Sequence, residues 1–185
     1  MWKTKTLTNM TPKQLFENAS IDTLSNEIQE KVRSAKETHR GLYIHGKVGV
    51  GKTYMMHAIK NYFTKTYNRA WFENYTEMVA TIKNESLSNY GFSETLDKLK
   101  KYEYPVFIDD ITTERVTDFQ EEIMYRILDS RYDSGYITYL SSNRDTDAIT
   151  NVFGSRITSR ILGMCDKMEI KGKDLRMKEA LDKTK

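Results

Sequence analysis

The chain is predicted to be an α/β domain, a five-stranded, mostly parallel sheet flanked by helices, and three observations predict it. Five short apolar runs, Gly41–His45, Arg69–Glu73, Pro105–Asp109, Tyr136–Ser141 and Lys167–Ile170, alternate with stretches of helical spacing. Strands separated by helices pair in parallel with both sheet faces covered. A glycine-rich octapeptide, Gly46 to Thr53, joins the first run to the helix after it. The third run ends in two aspartates, Asp109 and Asp110, at the edge where a parallel sheet holds its ligands.

In chain order, Thr11-Pro12 opens a short helix through Phe16, because Thr suits the cap and Pro the first helical position. Ser20 to Arg40 reads as one longer helix with Ile21, Leu24, Ile28 and Val32 on one face. The helix Lys52–Tyr67 sets Met55, Met56, Ile59, Tyr62 and Phe63 at helical spacing, with the methionine pair as core. Tyr75–Lys83 with Thr95–Lys101, then Phe119–Tyr132, then Asp145–Leu162 fill the remaining connections. No linker, repeat or low-complexity tract interrupts the pattern, so we expect one domain: a helical extension over 1–40, a core over 41–171 and a short terminal helix over 172–185.

Composition narrows the function classes. A length of 185 residues suits one domain with a proper core. A net charge of +3 neither requires nor opposes a nucleic-acid partner. The single cysteine, Cys165, excludes an internal disulfide and a multi-cysteine zinc site and points to a reducing compartment. His39, His45 and His57 lack metal-ligand spacing. No apolar run reaches the length of a membrane span and the N-terminus carries no signal-peptide core, so a soluble, cytoplasmic protein without membrane partners is expected.

The octapeptide Gly-Lys-Val-Gly-Val-Gly-Lys-Thr is a complete phosphate-binding loop between a strand and a helix. Its glycines let successive N–H groups converge on one anion, and the following helix aims its N-terminal dipole at the same point. The expected nucleotide-binding set is Gly46, Lys47, Val48, Gly49, Val50, Gly51, Lys52, Thr53 and Tyr54. Lys52 would neutralise the β- and γ-phosphates, and Thr53 would ligate Mg²⁺. Of the paired acids, Asp109 would hold Mg²⁺ and Asp110 would orient and polarise the attacking water. Two acids after a strand also suit a helix cap; behind an intact phosphate loop the nucleotide reading prevails. Asn143, after the fourth strand, is either a turn residue or a hydrogen-bond partner of that water or the γ-phosphate. Arg156 and Arg160, four apart, are either a solvated pair or a source of a guanidinium for a neighbouring copy's γ-phosphate.

In this order the motifs resemble the AAA+ ATPases of the bacterial replicative helicase-loader family, the DnaC/DnaI type, with the IstB transposition helpers close by. The resemblance runs from about Leu42 to Arg176. It is carried by Phe107-Ile108-Asp109-Asp110 followed by Glu114, Ile127-Leu128-Asp129-Ser130-Arg131-Tyr132, Ser141-Ser142-Asn143, the box from Gly154 to Arg160, and Gly172-Lys173-Asp174-Leu175-Arg176. It also covers the leading segment Leu15 to Ser20, which in the family lies near the adenine ring. The resemblance implies ATP or ADP with Mg²⁺ as ligands, Asn143 as sensor 1, an arginine finger at Arg160 or Arg156 with Arg160 favoured, and a sensor 2 at Arg176 in an abbreviated lid, Leu175–Lys183. It also implies self-association through the ATP site, single-stranded DNA binding and a hexameric replicative helicase as partner. Thr112 stands where the family commonly has Gly, and no separate helicase-binding domain is expected ahead of the first strand.

For DNA, Lys83, Lys98, Lys100 and Lys101 lie near Tyr90, Phe92, Tyr102 and Tyr104, a set that either tracks phosphates and stacks bases or forms a solvated helix over core aromatics. The leading expectation is an ATP-dependent helicase loader. The alternatives are an IstB-like helper acting on duplex DNA, or a non-catalytic protein that sequesters replication factors; a small-molecule kinase of the same loop class fits the arginine box less well.

Overall fold

The strands β1 (Gly41–His45), β2 (Trp71–Asn74), β3 (Val106–Asp109), β4 (Thr138–Ser142) and β5 (Cys165–Glu169) form one sheet in the order β2-β3-β4-β1-β5, and all its pairings are parallel. The computed structural model of the chain describes residues 10–111 and 115–175. The helices are α1 (Pro12–Glu17), α2 (Asn26–Thr38), α3 (Lys52–Tyr67), α4 (Tyr75–Ser88), α5 (Glu94–Lys101), α6 (Asp118–Asp133) and α7 (Thr146–Met164). The central strands β3 and β4 are buried along their whole length and β1 along all but its last residue, whereas the edge strands β2 and β5 are partly exposed.

Strand alternation divides the core into two layers. Tyr43, Val106, Ile108 and Leu140 face one side and pack with residues of α4 to α7 such as Met78, Leu99, Ile127 and Phe153. Leu42, Ile44, Phe107 and Tyr139 face the other and pack with Met56, Ile59 and Phe63 of α3 and Ile28 and Val32 of α2. On this second side Phe16, His57, Phe72, Phe107 and Tyr139 stack in succession, at centroid distances of 4.5, 4.2, 6.3 and 4.6 Å. Burial, with Lys60 adding to it, pushes the His57 pKa down to about 4, so the imidazole stacks as a neutral ring at neutral pH.

The N-terminal segment differs from the single helix expected over Ser20–Arg40. A 3₁₀ turn, Ile21–Thr23, is capped by the Ser20 side chain, Leu24 and Ser25 are extended, and α2 begins at Asn26. The Ser20 hydroxyl, which accepts from the Asp22 N–H at 3.3 Å, offers the chain a local alternative to helix here. The apolar face survives the break: Ile21, Leu24, Ile28 and Val32 are all buried. Asn61 of α3 donates to the Phe16 and Ala19 carbonyls, both at 2.9 Å, and Asp166 of β5 accepts from Lys31 at 2.8 Å and Arg40 at 2.7 Å. Lys31 first, then Arg40, hold the Asp166 carboxyl below the ordinary carboxylate range.

Elsewhere strand and helix ends shift by a few residues. The fourth strand starts at Thr138 rather than Tyr136, because Tyr136 N–H closes a turn on the Arg131 carbonyl. The helix expected over Asp145–Leu162 breaks at Gly154, whose φ of 78° and ψ of 167° are not helical; Arg156 and Arg160 both follow the break and stay four apart.

Arg131 of α6 is fully buried. Its Nε donates to Thr138 Oγ1 at 2.8 Å, Nη1 to the Leu99 and Tyr102 carbonyls at 3.0 and 2.7 Å, and Nη2 to the Tyr104 and Ile137 carbonyls at 3.1 and 2.9 Å. It thereby ties the end of α5 and the approaches to β3 and β4 to one side chain. Burial pulls its pKa down to about 9, still charged at neutral pH. Among the described residues no helix is long and apolar enough to cross a membrane.

Candidate nucleotide site

Strand order builds the site. Because β1 lies beside β4 and β4 beside β3, the carboxyl ends His45, Ser142 and Asp109 are neighbours, and the segments leaving them converge. The loop from Gly46 to Gly51 leaves β1 and feeds α3, whose first residues are Lys52 and Thr53. Gly46 has a φ of 153°, and a Cβ there would lie 2.3 Å from the Ile170 carbonyl oxygen, so only glycine fits. Val50 is buried and anchors the loop, whereas Val48 is exposed on its tip. Tyr54 points toward the N-terminal segment, where its hydroxyl lies 3.1 Å from Thr23 Oγ1.

The polar groups form a closed circuit. Lys52 Nζ donates to the Gly46 and Lys47 carbonyls at 2.9 and 3.0 Å and to Asn143 Oδ1. Asn143 Nδ2 reaches Asp110 Oδ1 at 3.4 Å. The Asp110 N–H donates to Ser141 Oγ at 2.9 Å, and Ser141 Oγ donates to Asp109 Oδ1. Thr53 Oγ1 closes the ring by donating to Asp109 Oδ2 at 2.9 Å. Asp110 has a φ of 56°, a left-handed conformation that costs an aspartate about 1 kcal/mol and that the Ser141 bond holds in place.

Asp109 is 5% exposed. Burial pushes its carboxyl up; the Ser141 and Thr53 bonds oppose this, and the neighbouring Asp110 charge adds to it. A buried carboxylate beside a hydroxyl, both hard oxygen donors, fits Mg²⁺. Asp109 and Thr53 would hold the ion, which when bound stabilises charge on phosphate oxygens.

The structure therefore brings together Lys52, Thr53, Asp109, Asp110 and Asn143. A cleft of about 860 Å³ opens beside them, walled by His45, Lys47, Asn143, Asp145, Lys167 and Glu169. The segment after β5 returns to the phosphate loop, with Ile170 N–H on the His45 carbonyl at 2.7 Å and Leu175 N–H on the Gly49 carbonyl at 3.0 Å. Arg176, the expected terminal helix beyond Leu175, Thr112 and Glu114 lie outside the described residues.

Arg156 and Arg160 pack instead against α6. Arg156 is exposed and lies over the Tyr125 ring at 4.1 Å, in a small cleft with Asp118, Glu121 and Glu122. Arg160 pairs through Nε with Asp129 Oδ1 at 2.7 Å and lies over Tyr132 at 5.1 Å. Of the basic and aromatic residues considered for DNA, Lys98 and Lys101 pair with Glu94 and Asp97 one helical turn away, and Tyr102 packs on Trp71 against the core. Tyr90 and Phe92 stand exposed at the turn between α4 and α5.

Sequence reasoning does not find Ser141 or Asn61. The Ser-Ser-Asn string contains the first, but only the register of β3 on β4, with Ile108 opposite Leu140, puts that hydroxyl between the two aspartates. Asn61 carries no signal, since an asparagine inside a helix has no pattern that names its partners.

Comparison with known proteins gives the family and the fold. The family model for the bacterial DnaA ATPase domain matches residues 12–165. The replicative helicase loader DnaI of Bacillus subtilis (strain 168) is 29% identical over 165 residues, 80% of this chain. The chain spans about half, 52%, of that relative's length. The crystal structure of the DnaC helicase loader superposes with a TM-score of 0.74 at 21% identity, over 84% of this chain and 98% of that one. The replication initiator DnaA bound to AMPPCP and single-stranded DNA superposes with a TM-score of 0.69 at 20% identity, over 95% of this chain and 55% of that one. The resemblance read from the motifs holds: the chain belongs to the bacterial DnaA ATPase-domain family, with the AAA+ P-loop fold it shares with helicase loaders of the DnaC/DnaI type.

Proposed function

We propose that the chain is an ATP-dependent loader that binds a hexameric replicative helicase and places it on single-stranded DNA. The observation that carries the ATPase part is the circuit of Lys52, Asn143, Asp110, Ser141, Asp109 and Thr53, which joins the phosphate loop to both acids and the sensor asparagine. The loader part is supported by the likeness to DnaI and DnaC. Lys52 neutralises the β- and γ-phosphates, Asp109 and Thr53 would hold Mg²⁺, Asp110 orients and polarises the attacking water, and Asn143 aligns that water or the γ-phosphate. Donors held in place before the substrate arrives need no reorganisation at the moment of reaction. Arg160, or Arg156, of a neighbouring copy supplies the remaining positive charge, and Arg176 acts in cis as sensor 2.

In this reading residues 41–171 are the motor core, residues 172–185 its short lid, and residues 1–40 an extension available to the helicase. The test is gel filtration with and without Mg-ATP, adding replicative helicase and a single-stranded oligonucleotide in turn. An ATP-dependent shift to a larger species that retains helicase is expected. Failure of any replicative helicase of its host to co-elute in ATP removes the loader reading, and filaments on duplex DNA would replace it with the transposition-helper reading.

A further inference from the structure

The two arginines of the box differ in what surrounds them. Arg156 lies over the Tyr125 ring at 4.1 Å, and its cleft is walled by Asp118, Glu121 and Glu122, three carboxylates that an incoming phosphate would have to approach. Arg160 is held by one edge. Its Nε is 2.7 Å from Asp129 Oδ1 and its guanidinium lies over the Tyr132 ring at 5.1 Å, while among the described residues neither Nη atom has a hydrogen-bond partner. The Tyr132 ring is itself seated on Gly163, where a Cβ would come within 2.6 Å of the ring carbon Cε2. Asp129 and Tyr132 come from one helix, Arg160 and Gly163 from another, and α6 and α7 pack along each other.

We infer that Asp129, Tyr132 and Gly163 form a seat that grips Arg160 by its Nε edge and one face, leaving the Nη fork to engage the γ-phosphate of a neighbouring copy. This rests on the reading of Arg160 as the residue that acts in trans. A guanidinium offers two bidentate edges to an oxyanion. With the Nε edge occupied, the end-on fork is the one presented outward, and its direction is set before the neighbour arrives. An arginine without the seat must order several rotatable bonds during assembly. Asp129 is thus a positioning residue: its carboxylate touches no phosphate and acts through the orientation of Arg160. The Asp-Ser-Arg-Tyr string then has two roles, Asp129 and Tyr132 aiming outward and Arg131 bracing inward.

The experiment uses mixed assemblies. The donor chain carries Asp110→Asn, so that its own pocket binds Mg-ATP without turning it over, and is mixed in equal amounts with unmodified chain. Steady-state hydrolysis then reports the unmodified pockets, half of which face a donor. Adding Arg160→Ala to the donor is expected to lower kcat further, and Asp129→Ala to lower it in the same direction by at least about threefold at the affected pockets, with KM for ATP unchanged. Asp129→Asn, whose amide oxygen still accepts from Nε, should recover most of that loss. Gly163→Ala, which pushes Tyr132 off its place without touching a charge, should depress kcat as well and stands in if the Asp129→Ala chain does not fold.

A donor with Arg160→Ala that depresses turnover while the Asp129→Ala and Gly163→Ala donors behave like Asp110→Asn alone overturns the seat and leaves the trans arginine standing. Equal loss in Asp129→Ala and Asp129→Asn also overturns it. No effect of Arg160→Ala removes the finger itself, and the seat with it.

Discussion

Replacing Arg131 with methionine isolates the cost of one buried cation. The side chain is fully buried and makes five hydrogen bonds, four to carbonyls and one to Thr138 Oγ1. Methionine fills much of the volume but donates to none of them. Two of the acceptors, the Leu99 and Tyr102 carbonyls, are at the C-terminal end of α5, where helix carbonyls lack intrahelical donors and the dipole favours a cation. Hydrogen bonds to charged groups contribute about 1.5–3 kcal/mol each, but the substitution also relieves the burial of a charge, which the depressed pKa of about 9 shows to be unfavourable. Buried acceptors left without a donor cost about 1–3 kcal/mol each, and with the relieved charge burial set against them a net loss of about 3–5 kcal/mol is expected, against a total stability of about 5–15 kcal/mol. At about 2–4 °C per kcal/mol for a domain of this size, Arg131→Met should lower Tm by roughly 6–20 °C. Arg131→Lys, with three donors and no planar fork, should fall between the two. Circular dichroism on heating, with urea midpoints as a second measure, checks this. A Tm within about 3 °C of the parent would refute the claim that the five acceptors depend on this side chain.

The site yields further expectations. Lys52→Ala should weaken ATP binding itself, whereas Asp110→Asn should bind ATP normally and lengthen the life of the assembled state; equal loss of affinity by calorimetry would contradict the assigned roles. Ser141→Ala should leave ATP affinity within about threefold and cut turnover by about tenfold, because it releases both aspartates at once; an unchanged kcat would remove the hydroxyl from the mechanism. His57 titrates lower in the folded chain, at about 4 against an ordinary 6.5, so the folded state binds fewer protons between those values. Its contribution to stability is therefore complete above about pH 6.5 and lost as pH falls toward about 4. His57→Phe, which keeps the stack with Phe16 and Phe72, should flatten that part of a Tm-against-pH curve, and an unaltered slope would assign the acid sensitivity elsewhere.

Local chemistry made much of this protein readable from its sequence. The phosphate loop, the strand ending in Asp109 and Asp110, and helix α3 are set by residues adjacent in the chain, so glycine spacing, apolar runs and helical periodicity report them directly. The parallel sheet follows from the alternation of strands and helices, since each connection needs a covering helix. Tertiary structure alone decided what depends on contacts distant in sequence. The order β2-β3-β4-β1-β5 brings Ser141 between two aspartates more than thirty residues away, as the separation of 32 between Ser141 and Asp109 illustrates. The packing of α6 on α7 gives Arg160 a carboxylate and a ring that a four-residue spacing does not announce. The N-terminal segment breaks where the Ser20 side chain bonds nearby backbone, a local competition that a hydrophobic stripe does not register because the stripe stays buried through the break. Periodicity encodes which face is apolar; it carries no information about which polar groups meet across the strands and helices it folds.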